Sequence, residues 1–103
     1  MKTDKILSYI GFAAVSRNAV TGTELVLSEI RRKRNGLCIV IASDASERTK
    51  KQITDKCDFY GVPLVAIESD MYELGKMAGK KHPAAAVAVT DKSLAAEILK
   101  CSE

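Results

Sequence analysis

Leu37-Cys38-Ile39-Val40-Ile41-Ala42 is an unbroken apolar run, largely β-branched at its centre and preceded by Asn35-Gly36. Side chains along a strand point alternately to the two faces of its sheet, so a run with no polar alternation fits a strand buried on both faces. This is the central strand, and a covering layer is needed above and below it. Val62-Pro63-Leu64-Val65-Ala66-Ile67 and Ala84-Ala85-Ala86-Val87-Ala88-Val89 have the same character. Pro63 is tolerated because it stands at the beginning of its strand.

Helical patterns fill the intervals. Asp44-Ala45-Ser46-Glu47 has the capping form and opens a helix to about Tyr60, with Ile53 and Cys57 facing inward and Gly61 ending it. Ser69 is expected to cap a short helix holding Leu74, Met77 and Ala78. Thr90-Asp91 precede a last helix with Leu94, Ala95, Ile98 and Leu99 on one side. Upstream, Thr3 is the expected N-cap of a helix from Asp4 to Val15, striped by Ile6, Leu7, Ile10, Ala13 and Ala14. A short link at Arg17-Asn18-Ala19-Val20 leads to Thr21-Gly22-Thr23-Glu24, a T-x-x-E capping box opening a second helix to about Arg34, which Asn35-Gly36 closes. Strands that alternate with helices argue for an α/β fold: a three-layer α/β/α sandwich on a mixed or parallel sheet.

A chain of 103 residues has room for one domain, 1–103, and no linker or repeat divides it. With 47% apolar and 28% charged residues it has the composition of a water-soluble globule. No run approaches the roughly 18 apolar residues of a membrane span. Met1-Lys2-Thr3-Asp4-Lys5 reads as mature sequence rather than a leader. Cys38, Cys57 and Cys101 are odd in number, widely spaced and without a C-x-x-C pair, as expected of three buried thiols in a reducing cytoplasm.

Catalytic signatures are missing where their chemistry needs them. Gly75-Lys76-Met77-Ala78-Gly79-Lys80-Lys81 is one residue short of a phosphate loop and lacks the hydroxyl that would hold magnesium. The single histidine, His82, cannot form a histidine pair for a metal. Asp44, Thr90 and Lys92 resemble a receiver-domain phosphoacceptor site, but no acidic pair precedes Leu37, and helix capping is the plainer role for Asp44. No enzyme activity, metal, cofactor or small-molecule substrate is expected.

The net charge of +3 is mild, so placement matters more than the sum. Positive residues gather at Arg31-Arg32-Lys33-Arg34 and at Lys80-Lys81-His82, while Arg48, Lys50 and Lys51 read as a solvated face. A basic last helical turn also complements the macrodipole and by itself needs no partner. The second helix adds geometry: Glu24, Ser28, Arg31 and Arg32 share one polar face, while Val26, Leu27 and Ile30 turn toward the sheet. Gly22 and Thr23 begin that helix, offering backbone N–H groups and the dipole's positive end to a phosphate.

Across nearly its whole length the sequence resembles the kink-turn-binding ribosomal proteins of the L-seven-Ae type, most closely their small bacterial YlxQ-like members. The resemblance rests on Ile10-Gly11-Phe12-Ala13, Gly22-Thr23-Glu24-Leu25-Val26-Leu27, Ile41-Ala42-Ser43-Asp44-Ala45-Ser46, Thr54-Asp55-Lys56-Cys57, Val62-Pro63, Glu73-Leu74-Gly75 and Ala86-Val87-Ala88-Val89-Thr90-Asp91-Lys92. It implies a three-layer α/β/α sandwich with a four-stranded mixed sheet, and an RNA reader rather than an enzyme. In that family the second helix opens with G-x-N-E-x-x-K at the kink, and an apolar loop before the last strand supports a flipped-out base. Gly22 matches; Glu24 stands for Asn, Leu25 for Glu and Ser28 for Lys. These departures remove one cationic phosphate contact and two base-edge partners. Arg17 and Asn18 replace what resembles a Gly-Lys turn, and Arg17 is expected to restore the charge lost at Ser28. The loop Lys80-Lys81-His82-Pro83-Ala84, with Ala85, keeps a small apolar stem and adds charge.

The expected function is therefore binding of structured RNA, of kink-turn or ribosomal type, in the cytoplasm and in association with the ribosome. The expected interface is Arg17, Asn18, Gly22, Thr23, Glu24, Leu25, Ser28, Arg31, Arg32, Lys80, Lys81, His82, Pro83, Ala84 and Ala85. The alternative is a protein-interaction module of the translation apparatus that keeps the fold without the RNA specificity.

Overall fold

The computed structural model of the chain describes residues 2–32 and 36–102. In chain order the elements are α1 (Lys2–Val15), β1 (Ala19–Thr21), α2 (Thr23–Arg32), β2 (Cys38–Ile41), α3 (Glu47–Tyr60), β3 (Leu64–Ala66), α4 (Met71–Met77), β4 (Ala86–Val89) and α5 (Lys92–Ser102). The strands form one mixed sheet in the order β1-β4-β2-β3. Strands β2 and β3 are parallel, with Val40 opposite Val65, while β4 runs antiparallel to both β1 and β2.

The two central strands are buried at every position, and their period of two feeds two cores. Cys38, Val40, Val87 and Val89 enter the core shared with Ile10 of α1, Leu74 of α4 and Ile98 of α5. Ile39, Ile41, Ala86 and Ala88 enter the opposite core, with Val26, Leu27 and Ile30 of α2 and Ile53 and Cys57 of α3. This is the expected three-layer sandwich. Each fully buried Ile or Leu contributes roughly 1.5–3 kcal/mol of apolar transfer, which holds both helical layers against the sheet.

Local readings need correction at several points. The segment at Arg17–Val20 is not merely a link, because Ala19–Thr21 form β1, an edge strand paired to β4. The first helix already begins at Lys2, so Thr3 lies inside it rather than capping it. Thr21 is a buried strand residue, and α2 starts with the Val26 N–H donating to the Gly22 carbonyl at 2.9 Å, so the Thr21–Glu24 capping box does not form. Asp70, not Ser69, caps α4, accepting from the Glu73 N–H at 2.8 Å. Ser46 caps α3; Asp44 instead accepts from the Met71 N–H at 2.7 Å, tying the loop after β2 to the start of α4. Cys38 and Cys57 are buried, but Cys101 is only half-buried. Lys33, Arg34 and Asn35, where the second helix was expected to end, lie outside the described residues.

Candidate nucleic-acid interface

The site is assembled by β4. Its register sets Thr21 opposite Val87, so Gly22, one residue further on, stands level with Ala86 and next to the end of the 80–85 loop. Gly22 turns the chain from β1 into α2 at φ +91°, a conformation costly to a side chain. Helices α3, α4 and α5 are each capped by a side chain, from Ser46, Asp70 and Asp91. No such cap closes α2, and among the described residues the N–H groups of Thr23, Glu24 and Leu25 have no protein acceptor. Those N–H groups and the dipole's positive end are open to an anion.

The loop is held to α4 by backbone. Lys80 N–H donates to the Gly75 carbonyl at 2.9 Å, Ala84 N–H to Met71 at 2.9 Å, and the Ala85 carbonyl accepts from Ala42 at 2.8 Å. Gly75 lies inside α4 and has no phosphate-loop geometry. Its missing side chain is what lets the loop cross, since a Cβ there would stand 2.2 Å from the His82 carbonyl oxygen. Ala84 is buried as the loop's anchor, Ala85 is half-buried, and Lys80, Lys81, His82 and Pro83 are exposed. The seat at Gly75 escaped the sequence reading; its only signal was a glycine in mid-helix after Leu74.

The expected residues fall into three groups. Gly22, Thr23, Glu24 and Leu25 lie at the same end of the sheet as the loop, with Glu24, Leu25 and Ser28 exposed along α2. Arg31 and Arg32 share the exposed face of Glu24 and Ser28, but they lie about 12 Å along the helix from its start at 1.5 Å per residue. Arg32 also pairs with Glu29 at 3.1 Å. Arg17, expected to restore the charge lost at Ser28, shares a cleft with Lys80 beside the ends of α1 and α4, and no residue of α2 lines that cleft. Asn18 is occupied internally, its carbonyl accepting from Thr90 N–H at 2.9 Å and its amide donating to Ser16 Oγ at 3.0 Å. Thr90 Oγ1 donates to Asn18 and Asp44 is bonded to α4, so the receiver-like pair serves local structure.

The fold is thus an α/β sandwich of five helices on a four-stranded mixed sheet, with an uncapped helix start beside a basic loop. The chain belongs to the ribosomal protein L7Ae/L30e/S12e/Gadd45 family, whose family model matches residues 4–99. It is 40% identical over 90 residues to the RNA-binding protein YlxQ of Bacillus subtilis (strain 168), covering 87% of each chain. It is 37% identical over 76 residues to the RNA-binding protein YlxQ of Enterococcus faecium, covering 74% of this chain and 72% of that one. Among solved structures, a protein of unknown function from Bacillus halodurans C matches with a TM-score of 0.84 at 30% identity, covering 94% of this chain and 95% of that one. The Giardia lamblia 15.5kD RNA binding protein matches with a TM-score of 0.83 at 19% identity, covering 98% and 87%, a likeness of fold alone.

Proposed function

We propose that this chain is a non-catalytic RNA-binding protein of the cytoplasm, associated with the ribosome, that seats a kinked RNA across the start of α2 and the 80–85 loop. The observation that supports it is the convergence of an uncapped helix start with that loop at one end of the sheet. The helix start offers donors to a phosphate, and the loop offers an apolar stem flanked by Lys80 and Lys81. With Glu24 and Leu25 at the two positions that read bases in the family, and Ser28 where the family has a phosphate-binding lysine, shape and the remaining phosphate contacts carry the affinity.

The test is a titration against a kink-turn RNA and against the same RNA with its tandem G·A pairs replaced. Tighter binding to the first is expected, and neutralising about three to five phosphates gives a logarithmic salt slope of roughly −2 to −4. Equal weak binding to both RNAs would overturn recognition of the kink. The exposure of Leu25, apolar at the mouth of the site, favours a second reading in that case: a protein-interaction module of the translation apparatus.

A further inference from the structure

Arg17 and Lys80 line a cleft of about 380 Å³ together with Ala14, Val15, Ala19, Ala78 and Gly79. We propose that this cleft binds one backbone phosphate of the RNA, held between the Arg17 guanidinium and the Lys80 ammonium. The inference rests on the RNA-binding reading and adds a contact beside the ends of α1 and α4, in a cleft that shares Lys80 with the loop and is lined by no residue of α2.

The chemistry of the cleft is one-sided. No carboxylate lines it, and among the described residues neither Arg17 nor Lys80 makes an ion pair. Small side chains form its floor, which leaves room for a ribose beside the phosphate. A planar guanidinium can grip two phosphate oxygens at once, while the ammonium acts as a point charge.

The backbone that carries both cations is also fixed. Arg17 ends α1 in a left-handed conformation, φ 62°, with Asn18 N–H bonded to the Ala13 carbonyl at 2.7 Å and Arg17 N–H to Ala14 at 3.1 Å. Glycine fits this position without cost, so the arginine is carried there against a backbone preference. Lys80 follows Gly79, itself left-handed at φ 77°, and its N–H is tied to Gly75. Each cation follows a helix C-terminus, and complementing the two dipoles is a structural role for them. Two ends of about −0.5 charge each still leave the pair with roughly one positive charge over, and α4 spans only two turns. That surplus matches a single phosphodiester.

The experiment measures affinity for the kink-turn RNA over a range of salt for the wild type, Arg17→Gly/Lys80→Ala and Arg17→Lys. The double variant should lose several-fold in affinity at low salt and have a slope shallower by about 0.7–0.9, one phosphate's worth. Arg17→Lys should keep the wild-type slope. Glycine suits the backbone at position 17 and Lys80 is exposed, so the urea midpoint of the double variant should be at or above that of the wild type, separating lost contact from lost fold. Unchanged affinity and slope in the double variant, with the wild type binding RNA, would remove this site and leave the proposed function standing. A wild type that binds no RNA would remove both. A parallel titration with inorganic phosphate alone, followed by amide shifts of Arg17, Gly79 and Lys80, separates the two sources of phosphate. Saturable shifts there with no slope change in the RNA series would assign the cleft to a free anion and overturn the proposal.

Discussion

Arg17 has a side chain where the backbone prefers none. The left-handed region costs an ordinary residue roughly 1–2 kcal/mol, partly offset because glycine is more flexible in the unfolded chain. Arg17→Gly should therefore raise the unfolding free energy by about 0.5–1 kcal/mol in urea titrations; a loss of stability would show that the arginine's charge at the end of α1 outweighs the backbone strain. Ser28 is the converse case, an exposed position on α2 where the family pattern has lysine. If RNA lies along this face, Ser28→Lys should steepen the salt slope by about 0.7–0.9, one additional phosphate, and an unchanged slope would place the RNA elsewhere. The sequence showed both residues as departures from a pattern. It did not show that Arg17 and Ser28 lie on different helical layers, because that depends on which side of β1 each neighbouring helix packs.

At the scale of elements, the loop before β4 depends on α4 allowing it to pass. Gly75→Ala would put a methyl group 2.2 Å from the His82 carbonyl oxygen, and the clash is with backbone rather than a flexible side-chain tip. The expected cost is about 1–3 kcal/mol of stability, with weaker RNA binding as the loop lifts, measured by thermal unfolding and by titration. The same substitution at Gly61, which has open space around it but a left-handed backbone at φ +69°, should cost stability of about 1 kcal/mol and leave RNA binding of the folded protein unchanged. The long helices and the two central strands were legible because each buries an unmistakable stripe or run. Strand β1 was not, since three edge residues, two half-buried and one buried, are too few to show a period and are held by pairing with β4. The capping-box reading of Thr21 failed for the same reason: the strand took the threonine, and α2 began beyond it.

At the scale of the whole molecule, the sheet divides two cores, with one buried thiol in each: Cys38 on the α1/α4/α5 side and Cys57 on the α2/α3 side. Burial pushes Cys38 from an ordinary 9.0 up to about 12, with the nearby Cys57 adding to it. Cys57 rises to about 11, through burial first and then the Asp58 charge. Near pH 7 both thiols are neutral in the folded and unfolded chains, and they impose no pH dependence there. Above it the unfolded chain loses protons that the folded one keeps, so stability falls as pH rises through 9 toward 11 and 12. Urea unfolding at pH 7, 9 and 10.5 should show this decline, and a Cys38→Ala/Cys57→Ala variant should lack that part of it. A thiol reagent should label Cys101 well before the two buried cysteines.

The sequence by itself determined the alternation of strands and helices, the two-sided burial of the sheet and the polar face of α2. All of these follow from the spacing of apolar residues along a local period. Tertiary structure alone decided which basic residues stand together. Register on β4 brings Gly22 level with the loop, the packing of α1 against α4 brings Arg17 to Lys80, and the length of α2 carries Arg31 and Arg32 away from the helix start. Charge has no period that a sequence must obey, so its grouping becomes visible only once the apolar side chains have set where each element lies.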